Sequence, residues 1–217
     1  MADDLKSIYE NRFSGNEKYR SQVWSILVTD WFSRFIPGDA AVLDLGCGYG
    51  DFINQVSARA RYAMDLNPNS KRFLSPGVRL FEQDCSERWP LADNVLDTVF
   101  TSNFFEHLPS KSNLEATMKE AWRCLRPGGR IIALGPNIKY VNGAYWDYWD
   151  HTLPLTEMSV AEGFQLAGFG IEKKVARFLP YTLLNRPHYP LIFVRSYLRL
   201  PFVWPIFGQQ FLVVGKK

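Results

Sequence analysis

The chain has 217 residues, 47% hydrophobic and 22% charged, which excludes a disordered polypeptide; folded chains of this length bury roughly 70% of their unfolded surface. Seven Trp, ten Tyr and sixteen Phe exceed what an ordinary core requires and point to rings lining a ligand site. The net charge of +3 is unevenly spread: residues 171–217 hold eight Lys or Arg against one acid, a basic tail that suggests a surface partner or a solvated face.

Residues 4–35 carry apolar side chains at helix-compatible spacings, among them Val23, Trp24, Leu27, Val28, Trp31, Phe32 and Phe35, before Pro37-Gly38 stops the segment. One or two helices are expected there. Five short apolar or β-branched runs follow, "AAVLDLG", "ARYAMDLN", "VRLFEQD", "LDTVFTSN" and "GRIIALGP", of the kind buried parallel strands show. The clearest helix between them is "KSNLEATMKEAWRCL", with Leu114, Thr117, Met118, Ala121, Trp122 and Leu125 on one stripe and Pro127-Gly128-Gly129 as its stop. This alternation of β and α argues for an α/β, doubly wound sheet with helices on both faces.

After the fifth strand the beat breaks. "NIKYVNGAYWDYWDHTLPLT" is rich in aromatics and turn formers and follows neither period, the mark of a functional loop. "TEMSVAEGFQLAGF" predicts a helix capped by Thr156 and ending near Gly168, "GIEKKVARFLPY" a strand, and "QQFLVVGKK" a closing strand. The intervening "YPLIFVRSYLRLPFVWPIFG" is dense in apolar residues, with Arg195 and Arg199 one helical turn apart. The expected organisation is a single domain over 1–217: a helical cap over 1–36, an α/β core over 37–137 and, over 138–217, the irregular loop, helix, strand, apolar insertion and closing strand.

Three glycines at alternate positions, Gly46, Gly48 and Gly50, follow the first strand, where they let the main chain turn tightly and approach a ligand ahead of an expected helix N-terminus. Asp51 stands where a dinucleotide fingerprint wants its third glycine, and a phosphate loop would need Gly-Lys-Ser/Thr. Asp44 would repel a pyrophosphate and attract an ammonium or sulfonium. Asp65 ends the second strand, where an acid can take both hydroxyls of a ribose, and Asp84 ends the third, where it can meet an adenine edge. Any one of these acids also fits a turn or helix cap, but three at successive strand ends fit a ligand better.

"VLDLGCGYG", "AMDLNP", "EQDCSERWPLADNVLDTVFTSNFFEHL" and "EAWRCLRPGGRIIALGPN", in order across residues 40–137, resemble a class I S-adenosylmethionine-dependent methyltransferase of the type 11-like group. The resemblance implies a Rossmann-like, seven-stranded sheet of order 3-2-1-4-5-7-6 with its last strand antiparallel. It implies S-adenosylmethionine as cofactor, with Asp44, Gly46, Cys47 and Gly48 around the methionine end, Asp65 and Leu66 at the ribose, Asp84 and Cys85 at the adenine, and Asn103 and Phe104 flanking the sulfonium and adenosine. The tail, "YWDYWDHTLPLT" with "ARFLPYT" and "LRLPFVWPIFGQQFLVVGKK", is similar to methyltransferases of bacterial surface-polysaccharide and other glycan pathways, which implies O-methylation of a sugar. The alternatives are a lipid, quinone or natural-product acceptor at the membrane surface, and a donor-binding protein without catalysis.

Methyl transfer from a sulfonium is an in-line displacement in which the protein mainly aligns the reactants, and a sugar hydroxyl profits from a general base. His107 and His151 are the candidate catalytic bases, although either ring also fits a purely structural role. Asp150 can orient the neighbouring His151 or cap a turn. Trp146, Tyr148 and Trp149 can face a sugar ring or pin their own loop. With only His107, His151 and His188 present and no acid/His cluster at ligand spacing, no metal is expected. Cys47, Cys85 and Cys124 show no CxxC spacing, which argues against disulfides and zinc and for a reducing cytoplasm. "MADDLKSIYENRF" lacks a basic, apolar leader, and no uncharged apolar run reaches the ~18 residues of a spanning helix. A cytoplasmic protein is expected, peripheral to the membrane through 189–207 if the apolar insertion meets lipid. "SNFFEHL" lacks the pattern that grips a flipped base, so no nucleic-acid partner is expected.

Overall fold

The computed structural model describes residues 17–181 and 189–217. Seven strands, β1 (Ala41–Leu45), β2 (Ala60–Met64), β3 (Val78–Phe81), β4 (Leu96–Ser102), β5 (Leu125–Pro136), β6 (Gly170–Leu179) and β7 (Gln210–Lys216), form one sheet of order β3-β2-β1-β4-β5-β7-β6. The first five run parallel, and β7 lies antiparallel to both β5 and β6, as expected. The apolar runs have a simple cause. Successive side chains in a strand point to opposite faces, and here both faces of the central strands are covered. Leu43, Val99, Ile131 and Val213 enter one core, while their neighbours Val42, Phe100, Ile132 and Val214 enter the other. The edge strand β6 instead alternates exposed and half-buried positions and carries Glu172, Lys173 and Lys174, charges that discourage further pairing at the edge.

Helices α1 (Glu17–Asp30), α5 (Leu191–Arg199) and α6 (Trp204–Phe207) supply Val23, Ile26, Leu198 and Trp204 to the second core. Helices α2 (Lys111–Cys124) and α4 (Glu157–Leu166) supply Leu114, Met118, Val160 and Phe164 to the first. Of the cap expected over 4–35, α1 and a 3-10 turn over Phe32–Phe35 fall among the described residues, whereas 4–16 and His188 lie outside them. Helix α4 begins as expected, with Thr156 Oγ1 accepting from the Ser159 amide at 3.1 Å and Ser159 Oγ accepting from the Thr156 amide at 3.0 Å. The loop after β5 holds only single turns, α3 (Ile138–Val141) and a 3-10 turn over Asn142–Asp147, in keeping with its lack of period.

Two expectations are corrected. The helix expected after the glycine turn is one hydrogen-bonded turn, Asn54 N–H to Gly50 at 3.0 Å and Gln55 N–H to Phe52 at 2.9 Å. Only six residues, Asp51 to Val56, precede Ser57-Ala58, too few to propagate a helix past its nucleus, and Phe52, Ile53 and Val56 are buried directly against the sheet. Strand β5 also starts four residues before "GRIIALGP": Leu125 pairs with Leu96, and a register shift before Thr98 absorbs the Pro-Gly-Gly stretch, with Gly128 at φ +81°.

Candidate functional site

The carboxyl ends of β1, β2 and β4 meet at the glycine turn. Gly46, Gly48 and Gly50 all have positive φ, at +69°, +51° and +71°. At Gly46 the need is spatial as well, since a Cβ would stand 2.2 Å from the Phe104 ring. The Gly46 and Cys47 amides donate to the Met64 carbonyl at 2.9 and 3.2 Å, and the Gly48 amide donates to Asp65 Oδ2 at 2.7 Å. Asp65 Oδ1 accepts from the Asn67 amide at 2.8 Å, which leaves the carboxylate fixed and half-buried beside the half-exposed Leu66.

Three carboxylates crowd this turn. Burial pushes Asp44 well above the ordinary carboxylate range; the Ile53 amide partly offsets this, and Asp65 and Asp51 add repulsion. Burial likewise raises Asp51, against the pull of Arg20 at 2.5 Å, and Asp65, against the amides of Asn67, Gly48 and Leu66. Buried like charges of this kind are relieved by a cation. The Cys47 thiol is pushed up by burial as well, so it acts as a packing group.

Asp84 and Cys85 close the edge at β3. Asp84 Oδ1 accepts from the Ser86 amide at 2.8 Å and the Ser86 hydroxyl at 2.7 Å, the turn-capping role that a lone acid at a strand end fits equally well. Cys85, its thiol pushed up to about 11 by burial, lies 3.3 Å from Thr117 Oγ1, and its carbonyl accepts from Trp89 Nε1 at 2.8 Å. Asn103 turns the chain after β4 with φ +49°, its amide donating to the Leu134 carbonyl at 2.9 Å, and so delivers Phe104 over Gly46.

Beyond β4, His107 and His151 come together with ring centroids 4.9 Å apart. Glu106 makes this possible: its carbonyl accepts from the Thr152 and Leu153 amides at 2.8 and 3.1 Å, stitching the loop after β5 to the turn after β4. Asp150 orients His107, not its neighbour His151, with Oδ2 at 3.1 Å and its carbonyl at 3.2 Å from His107 Nδ1. Burial pulls the His107 imidazole down, but the Asp150 hydrogen bond and the Glu106 and Asp150 charges outweigh it, and the net shift is upward from 6.5. His151 Nδ1 lies 2.8 Å from the Tyr145 carbonyl, and Tyr148 stacks on its ring at 4.9 Å. Both Nδ1 atoms face acceptors and so act as donors, which in a neutral ring leaves the lone pair on Nε2. Buried Tyr145 pins the loop by donating to the Leu153 carbonyl at 2.5 Å, whereas Trp146 and Trp149 stand 60% and 95% exposed.

Residues 43–133 match the family model described as a methyltransferase domain. A crystal structure of an S-adenosylmethionine-dependent methyltransferase from Archaeoglobus fulgidus superposes on 93% of this chain and 97% of its own, with a TM-score of 0.68 at 20% identity. Residues 43–133 thus carry the match to a methyltransferase domain, on the fold that solved S-adenosylmethionine-dependent methyltransferases share. A demethylmenaquinone methyltransferase from Symbiobacterium thermophilum is 27% identical over 71% of this chain and 62% of its own length. A malonyl-[acyl-carrier protein] O-methyltransferase from Dechloromonas aromatica is 34% identical over 58% of this chain and 49% of its own. The chain thus spans less than two thirds of these relatives.

At this site, sequence reasoning missed Glu106 and the partner of Asp150. The metal-ligating atoms of Glu106, His107 and His151 all lie within 4.8 Å of one another, which corrects the expectation that no acid/His cluster comes together. The only available signal was an acid inside the apolar "FFEHL"; the separation of 43 positions between His107 and Asp150 hid the rest.

Proposed function

We propose that this protein methylates a sugar hydroxyl in a surface-polysaccharide or other glycan pathway, with S-adenosylmethionine as donor and His107 as general base. The base assignment rests on one observation, the 3.1 Å contact of Asp150 Oδ2 with His107 Nδ1, which fixes the tautomer and leaves Nε2 to accept a proton. The donor reading is supported by the crowding of Asp44, Asp51 and Asp65, which a ligand with ammonium and sulfonium charges would relieve. Asp65 Oδ2 accepts from the Gly48 amide and Oδ1 from the Asn67 amide, and the carboxylate retains acceptor capacity for a ribose hydroxyl. When bound, S-adenosylmethionine supplies an activated methyl group on a positively charged sulfur. His107 Nε2 takes the acceptor proton, and Asp150 stabilises the imidazolium that forms. Exposed Trp146 and Trp149 offer their faces to the apolar side of a sugar ring.

The test separates turnover from donor binding. His107→Ala is expected to lower kcat about 10²- to 10⁴-fold while the donor affinity, measured by titration calorimetry, stays within about twofold. Activity needs neutral His107 and therefore rises with pH through a value above 6.5; Asp150→Asn is expected to move that limb downward, because the charge that raises the imidazole is gone. Unchanged turnover in His107→Ala would remove the base assignment.

A second reading, methylation of a lipid, quinone or natural-product acceptor at a membrane, is favoured by the exposed apolar side chains of residues 189–207 and by the name of the Symbiobacterium relative. With radiolabelled donor and cell extract, label in the aqueous polysaccharide fraction supports the first reading and label in the organic phase the second. Donor binding without any transfer would leave a non-catalytic donor-binding protein.

A further inference from the structure

We propose that α5, the turn after it and α6 form a fixed docking face for an anionic lipid bilayer, whichever acceptor the enzyme methylates. Ile192, Phe193, Phe202, Ile206 and Phe207 are each between 59% and 72% exposed, five large apolar side chains within sixteen residues. Isolated exposed apolar residues are ordinary, but a concentration of this size marks an interaction surface.

These side chains are held outward by a rigid support. Helix α5 spends its inner face, Leu191, Val194, Tyr197 and Leu198, on the core, so helical spacing turns Ile192, Phe193, Arg195 and Arg199 away from it. Tyr197 donates to the Phe178 carbonyl at 2.7 Å, and buried Trp204 donates to the Tyr197 carbonyl at 2.8 Å. Arg177 of β6 clamps the end of α6 through the Gly208 and Ile206 carbonyls at 2.7 and 3.0 Å. A lid that closed over the active site would have to break these bonds; a docking face has no need to.

Charge selects the occupant. Residues 189–207 contain Arg195 and Arg199 and no acid, and Arg195 reaches Asp30 only at 3.9 Å. Arginines beside exposed phenylalanines match a bilayer whose lipid phosphates meet the guanidinium groups while the rings enter the acyl boundary. At nine and four residues, α5 and α6 can engage one leaflet only, and no helix among the described residues is long and apolar enough to cross a membrane.

The full chain is mixed with phosphatidylcholine vesicles with or without phosphatidylglycerol, sedimented, and compared with the paired variants Phe202→Ser/Phe207→Ser and Arg195→Gln/Arg199→Gln. Stronger pelleting on the anionic vesicles is expected, roughly tenfold in apparent affinity, lost in the first variant and weakened by added salt and in the second. Unchanged binding by the phenylalanine variant, equal binding to both vesicles, or no pelleting at all would overturn the proposal. So would a wild-type dimer in sedimentation velocity that the phenylalanine variant disperses, since the face would then join two copies. Retained donor binding and melting temperature show that each variant is folded, so loss of vesicle binding is separable from failure of the methyl-transfer reading.

Discussion

Asp44 is a buried carboxylate held next to two others at the end of the first strand, and its position makes a specific expectation about the ligand. Asp44→Asn removes the charge while keeping the shape, so donor affinity by calorimetry is expected to fall at least about tenfold with little loss of stability. Equal affinity in the variant would show that the cluster does not read a cation. Glu106 makes a different kind of expectation because burial pushes its carboxyl from 4.5 up to about 7. A raised acid favours the folded state fully below its unfolded value and loses that contribution as pH climbs through the folded one. Between about pH 4.5 and 7 the wild type is therefore expected to lose up to about 3 kcal/mol that Glu106→Gln does not lose, read from urea denaturation at pH 5 and pH 8. Parallel pH dependence in the two proteins would contradict the burial of that charge. The turn formed by the three glycines was legible in the sequence because their positive φ answers to local backbone needs, and Asp44 and Asp65 were placed at strand ends by the strand runs that precede them. From the sequence Asp150 fits either the adjacent ring or a turn cap, since linear order cannot show that the loop folds back onto His107.

Helix α4 shows what local signals decide. Thr156 stands where the apolar period begins, and its side chain and that of Ser159 satisfy each other's amides. Thr156→Ala is expected to cost about 1 kcal/mol, or about 2–4 °C in melting temperature by calorimetry, and no loss would mean that packing alone sets the helix start. The turn after Gly50 shows the converse. Its glycines and apolar residues resemble the opening of a helix, but the segment is short and Phe52, Ile53 and Val56 are drawn into the core, so tertiary burial overrides propagation. The apolar insertion at 189–207 was legible as an amphipathic element with two arginines on one face; that its rings are braced outward depends on Arg177, a residue of another strand.

For the whole molecule, the two cores must form together because the sheet lies between them. Phe100 on β4 stacks on Phe52 with centroids 3.6 Å apart and meets Phe32 edge-on at 5.1 Å, joining the sheet, the glycine turn and the segment after α1. Phe100→Ala is expected to cost about 3–5 kcal/mol by chemical denaturation and to weaken donor binding indirectly; a loss below about 1 kcal/mol would mean that the cavity collapses. By itself the sequence determined the strand runs, most helix limits and the acids at strand ends, since strand period, caps and turn residues act over a few positions. The order and directions of the strands were implied by the family resemblance. The tertiary structure alone decided the pairing of Asp150 with His107, the meeting of Glu106, His107 and His151 and the outward bracing of α5 and α6. Each of these depends on contacts between segments distant in the chain, whose closeness follows from how the loops cross the sheet and not from any local preference.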